Sequence, residues 1–123
     1  MSRILLVDDD EQFRYTAQQM LELDQHQVIS LSSAEAALEK LNQGGQWDLI
    51  ITDICMPGMD GLEFLRLIQK EYSVPVIVIS GGGQRALHRD FALQSARMIG
   101  ATHTLEKPLR LQTLRDTVKQ AIR

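Results

Sequence analysis

Three consecutive acids, Asp8-Asp9-Asp10, follow the apolar run Ile4-Leu5-Leu6-Val7, and Asp53 follows Leu49 to Thr52. Ser80 closes the run Val76 to Ile79, and Lys107-Pro108 follows a weaker run, Thr102 to Leu105. Carboxylates gathered at one place repel one another unless a cation neutralises them, and Mg²⁺, a hard ion that keeps several waters, suits oxygen ligands. A carboxylate beside such an ion can attack phosphorus in line and become an aspartyl-phosphate, while the ion and a lysine neutralise charge on the transferring oxygens. A hydroxyl such as Ser80 can hydrogen-bond one of those oxygens. The candidate set is therefore Asp8, Asp9, Asp53, Ser80 and Lys107, and the candidate chemistry is phosphoryl transfer to a carboxylate.

Those residues act together only if the chain brings the ends of separate strands to one edge. The runs Ile4 to Val7, Val28 to Leu31, Leu49 to Thr52, Val76 to Ile79 and Thr102 to Leu105 are short and mostly β-branched or apolar, and they predict five strands. Between them, apolar residues recur at helical spacing: Phe13, Ala17, Met20, Leu21; then Ala34, Ala37, Leu38, Leu41; then Phe64, Leu65, Ile68, Tyr72. A fourth helix is expected between Gln84 and Ile99 and a fifth from about Leu109 to Ile122. Ser32 followed by Glu35 reads as a capping box, with Gly44-Gly45 ending that helix in positive-φ conformations. Asp10 and Glu11 are expected in the first turn of helix one, facing its dipole, and Trp47 is expected to start strand three, roughly 20 Å from Asp53. Near-continuous apolar strands imply burial on both faces, so helices cover both sides of a parallel sheet: an α/β doubly wound fold. In such a sheet the ligand crevice lies beyond the carboxyl ends of the strands, where the candidate residues fall.

With 13 Lys and Arg against 16 Asp and Glu, the net charge of -3 gives no broad attraction to nucleic acid or anionic lipid. A single cysteine, Cys55, forms no internal disulfide, and three scattered histidines lack zinc spacing, so a cytoplasmic setting is expected. No signal peptide or membrane span is legible. The 123 residues suit one domain, 1–123, with no room for an output domain.

V-D-D-D at Val7 to Asp10, D-I-C-M-P-G-M-D-G at Asp53 to Gly61, S-G at Ser80 and G-A…K-P ending at Lys107-Pro108 resemble a response regulator receiver domain, over nearly the whole chain and in the same order. The resemblance implies a (βα)5 flavodoxin-like fold with strand order 2-1-3-4-5. It also implies phosphorylation at Asp53, and a histidine kinase or phosphotransfer protein as donor. It makes Asp9 a direct metal ligand, Asp8 the acid holding metal-bound water, and Cys55 the source of a backbone carbonyl to Mg²⁺. Ser80 matches the hydroxyl that moves toward the phosphoryl group and Lys107 the cation that pairs with it, before a cis Lys107-Pro108 bond. On helix one, Phe13, Arg14, Ala17 and Gln18 lie where the family docks its phosphodonor. Such a domain catalyses only its own phosphorylation and dephosphorylation.

Three departures stand out. Thr104 replaces the usual aromatic before the lysine, Ser80 replaces the commoner Thr, and the stretch from Ser80 to Gly100 is long and opens with Gly81-Gly82-Gly83. That glycine run, with the fourth helix, is expected to form a mobile output surface. It matches neither G-x-G-x-x-G nor G-x-x-x-x-G-K-[ST], which argues against nucleotide binding. His88 and His103 are assigned no role, and Arg115, Lys119 and Arg123 are expected to form a solvated face. An aspartate-based phosphatase of the D-x-D-x-T type needs a second acid two residues after the nucleophile, and Asp53 is followed by Ile54 and Cys55, which argues against it. A phosphorylation-independent interaction module is the remaining alternative.

Overall fold

The computed structural model describes residues 2–54, 58–81 and 89–122, the side chains of 89–93 excepted. Strands and helices alternate: β1 (Arg3–Val7), α1 (Glu11–Glu22), β2 (Gln27–Leu31), α2 (Ala34–Asn42), β3 (Leu49–Asp53), α3 (Gly61–Glu71), β4 (Val76–Ser80), α4 (Arg89–Ile99), β5 (His103–Glu106) and α5 (Leu111–Ile122). All pairings are parallel and the order is β2-β1-β3-β4-β5, the expected doubly wound sheet.

Side chains alternate across each strand, so the sheet splits the core into two layers. Leu5, Val7, Ile50, Val76 and Val78 pack against Ala34, Ala37 and Leu41 of α2, Phe64, Leu65 and Ile68 of α3, and Ala96 of α4. Ile4, Leu6, Leu49, Ile51, Ile77 and Ile79 pack the other way, against Ala17 and Leu21 of α1 and Leu114, Val118 and Ala121 of α5. The central strands β3 and β4 are buried at every residue, whereas edge strand β2 is mostly half-buried, as its Ser30 allows.

The register places the site. Val7 lies beside Thr52, so the next residues, Asp8 and Asp53, emerge side by side. Asp53 lies beside Ile79, and Ser80 lies beside Glu106, one residue before Lys107.

Several expected boundaries move. Strand five runs from His103 to Glu106, and α5 starts at Leu111, not Leu109. Trp47 precedes β3 instead of starting it; its ring is buried under Arg3, whose guanidinium carbon lies 4.1 Å from the ring centroid. The N-cap of α2 is Ser33, not Ser32: its hydroxyl accepts from the Ala36 N–H at 3.1 Å, so the three-residue step to Glu35 forms no capping box. Asp10 is the N-cap of α1 and not a first-turn residue, accepting at Oδ1 from the N–H groups of Gln12 and Phe13. Gly44 and Gly45 do take positive φ, 88° and 98°. Cys55, Gly82, Gly83, His88 and Arg123 lie outside the described residues, as does most of the expected mobile loop. Among the described residues no helix is long and apolar enough to cross a membrane.

Candidate functional site

At the carboxyl edge of the sheet, Asp8, Asp9 and Asp53 each bring a carboxylate oxygen to within 4.8 Å of the others. Asp8 and Asp53 are buried and Asp9 is exposed, so the cluster opens to solvent on the Asp9 side. Ser80 is buried at the end of β4. Lys107 spans the cluster: its Nζ is 2.9 Å from Asp8 Oδ2 and 3.3 Å from Asp53 Oδ2. The Lys107 N–H donates to the Ser80 carbonyl at 2.8 Å, continuing the β4–β5 ladder by one rung and aiming the lysine inward, and its bond to Pro108 is cis as expected.

Each acid is held by its surroundings. Asp8 Oδ1 accepts from the Asp10 N–H at 2.9 Å, and Arg14 Nη1 donates to the Asp8 carbonyl at 2.6 Å. Asp8 Oδ2 is buried with no hydrogen bond of good geometry, although the ammonium stands beside it. Burial, followed by the charge of Asp53, outweighs the Asp10 N–H and Lys107 and pushes the Asp8 carboxyl up to about 6. Burial works against the charge of Lys107, but the Asp8 contact and the charges of Asp53 and Asp8 exceed it and hold the ammonium above its ordinary range.

Three carboxylates gathered at one edge, with the Lys107 ammonium against two of them, keep an excess of negative charge and form a donor set for a hard divalent cation. The residues present fit Mg²⁺.

Ile54 and the described residues from Gly58 to Gly61 are held from two sides. The Gly61 N–H donates to the Ile54 carbonyl at 2.6 Å, and a Cβ at Gly61 would stand 2.2 Å from the Asp53 carbonyl oxygen, so only glycine admits this approach of α3 to β3. From α2, Glu35 Oε2 accepts from the Met59 N–H at 3.1 Å. Gly58 takes φ 78°, and a Cβ there would meet the same carboxylate. Sequence reasoning missed this tie: Glu35 looked like a cap because the loop it reaches is 24 residues away.

The structure thus brings together Asp8, Asp9, Asp53 and Lys107, with Ser80 one strand away; Cys55 is outside the described residues. A model of the response regulator receiver domain matches residues 4–119. The chain belongs to the response regulator receiver family.

Relatives of this receiver domain occur in plants and bacteria. It is 33% identical over 124 residues to the two-component response regulator ARR10 of Arabidopsis thaliana, covering 98% of this chain and 21% of that protein. It is 37% identical over 123 residues to the C4-dicarboxylate transport transcriptional regulatory protein DctD of Pseudomonas aeruginosa, covering 98% and 25%. The chain therefore spans about a fifth to a quarter of the length of these curated relatives. A receiver domain protein of Clostridium thermocellum superposes with a TM-score of 0.87 at 30% identity, covering 99% of this chain and 94% of that one.

Thr104, where the family resemblance leads one to expect an aromatic, is half-buried on β5. Its hydroxyl accepts from Arg97 Nη2 at 2.9 Å and Nε at 3.2 Å, so a polar clasp joins α4 to β5 there.

Proposed function

We propose that this receiver domain, residues 1–123, is a phosphorylation-controlled binding module whose phosphoacceptor is Asp53. The observation that carries this reading is the convergence of Asp8, Asp9 and Asp53 at one edge with the Lys107 ammonium between two of the carboxylates. A carboxylate oxygen of Asp53 forms a bond to phosphorus as the P–N bond of a donor phosphohistidine breaks. The imidazole leaves with that electron pair and takes up a proton. Lys107 pairs with the charge gathering on the phosphoryl oxygens, and the Ser80 hydroxyl donates to one of them.

Asp8, Asp9, Asp53 and the Cys55 carbonyl would hold Mg²⁺, which supplies charge neutralisation at the phosphoryl oxygens when bound. The donor is a sensor histidine kinase or a phosphotransfer protein. Beyond its own phosphorylation and dephosphorylation the domain turns over no substrate. The aspartyl-phosphate carries about -1.5 to -2 charges at neutral pH in place of the single charge of the Asp53 carboxylate, so phosphorylation adds roughly one negative charge and three acceptor oxygens at the site, enough to rearrange a surface. A cytoplasmic protein that contacts neither nucleic acid nor membrane directly fits the acidic balance of the chain.

The test is intact mass after incubation with Mg²⁺ and acetyl phosphate, wild type beside Asp53→Asn. A phosphate adduct on wild type alone is expected. An adduct on both would move the acceptor elsewhere, and none on either would leave a phosphorylation-independent interaction module.

A further inference from the structure

Lys107 has a third neighbour that the proposed chemistry does not use. Its Nζ lies 4.1 Å from the centroid of the Phe13 ring, on the first turn of α1. The ammonium is therefore flanked by Asp8 Oδ2 at 2.9 Å, Asp53 Oδ2 at 3.3 Å and an aromatic face. The backbone that carries the ring is fixed, because the Phe13 N–H donates to Oδ1 of the N-cap Asp10 at 3.2 Å. The half-buried ring packs against the core layer that includes Ala17 and Leu114, and it lines a mostly apolar groove with Ala17, Met20, Pro108 and Leu109.

An aromatic face attracts a cation through its quadrupole and contributes no counter-charge. A carboxylate at the same place would neutralise Lys107, and water would compete for its hydrogens. A ring orients the ammonium without adding to the negative charge that Asp8 and Asp53 already set against it. We infer that Phe13 is a positioning residue for phosphoryl transfer, its ring holding the Lys107 ammonium between Asp8 and Asp53. The inference rests on Asp53 being the phosphoacceptor.

Two measurements test it. In a ¹H–¹³C spectrum of the metal-free protein, the ε-methylene protons of Lys107 should be shifted upfield by the ring, and the shift should vanish in Phe13→Leu and Phe13→Met. With Mg²⁺ and acetyl phosphate, both variants should acquire the adduct about three- to thirty-fold more slowly than wild type, and Phe13→Trp should restore most of the rate. Using two ring-free variants keeps the test usable if one fails to fold. An unshifted Lys107 in wild type, or equal rates in Phe13→Leu, Phe13→Met and wild type, would overturn the inference while leaving Asp53 as acceptor. No adduct on wild type would instead sink the phosphoacceptor reading, and this one with it.

Discussion

Asp8 carries opposing demands. It is buried, its Oδ2 lacks a well-formed hydrogen bond, and burial pushes its carboxyl up from 3.8 to about 6. An acid with a higher pKa folded than unfolded binds protons more tightly in the native state, so its ionisation costs stability as pH rises from 3.8 to about 6. Without metal, Asp8→Asn should therefore be more stable than wild type at pH 7, and the gap should close as pH falls through that window. Urea midpoints for both proteins across that pH range would show it; a gap independent of pH would mean that burial of the Asp8 charge is not what the substitution relieves. Added Mg²⁺ should raise the midpoint of wild type more than that of the variant, because Asp8 belongs to the donor set. The acids themselves were legible from the sequence, since each follows an apolar run. The contact of Phe13 with Lys107 was not: an apolar residue at that helical position is equally well explained by the core, and only placement shows which face meets the ammonium.

Two joints between elements are specific enough to break. At the β3–α3 joint, a methyl group at Gly61 would stand 2.2 Å from the Asp53 carbonyl oxygen and 2.5 Å from Ile54 Cα, both backbone atoms that cannot rotate away. Gly61→Ala should cost about 1–3 kcal/mol or more, read from urea unfolding, because relief requires the backbone to shift. It should also slow adduct formation on Asp53, since the strand end that moves carries that residue. A variant as stable as wild type would show that α3 can retreat without loss. The second joint is the fork from Arg115 of α5 to Asp24 after α1, with Nη2 at 2.6 Å and Nε at 2.9 Å. Arg115 was expected on a solvated stripe; it is a partner of Asp24, which lies 91 residues away. Its hydrogen bond, with its charge, holds the Asp24 carboxyl below its ordinary value. A depressed carboxyl contributes stability that is present above 3.8 and lost as pH falls through the folded value. A double-mutant cycle of Arg115→Ala with Asp24→Ala should give a favourable coupling at pH 7 that shrinks with acid and with added salt. A coupling indifferent to both would point to packing, not charge.

At the scale of the whole molecule, one sheet separates two apolar layers, and every central strand contributes to both. Loss of either layer exposes the sheet that supports the other, so unfolding should be a single transition. Trp47 belongs to one layer and Leu114 to the other. Leu114→Ala should cost about 2–5 kcal/mol. It should lower the denaturation midpoint equally whether followed by Trp47 fluorescence or by far-ultraviolet circular dichroism. Midpoints that separate would show the two layers melting independently.

From the sequence alone came the alternation of strands and helices, the parallel sheet and the acids at its edge, because apolar periodicity and the residue after each strand are local properties of the chain. The resemblance to receiver domains supplied the strand order. Boundaries were legible only to within a residue or two: whether Ser32 or Ser33 caps α2 depends on which hydroxyl meets the Ala36 N–H, a matter of backbone angle that residue type does not encode. Tertiary structure decided the rest through contacts between residues far apart in the chain. The Glu35–Met59 tie, the Arg97–Thr104 clasp, the Asp24–Arg115 fork and the ring beneath Lys107 each join different elements. No spacing along the chain announces such pairs, because they exist only once packing has set the distance and direction between the elements that carry them.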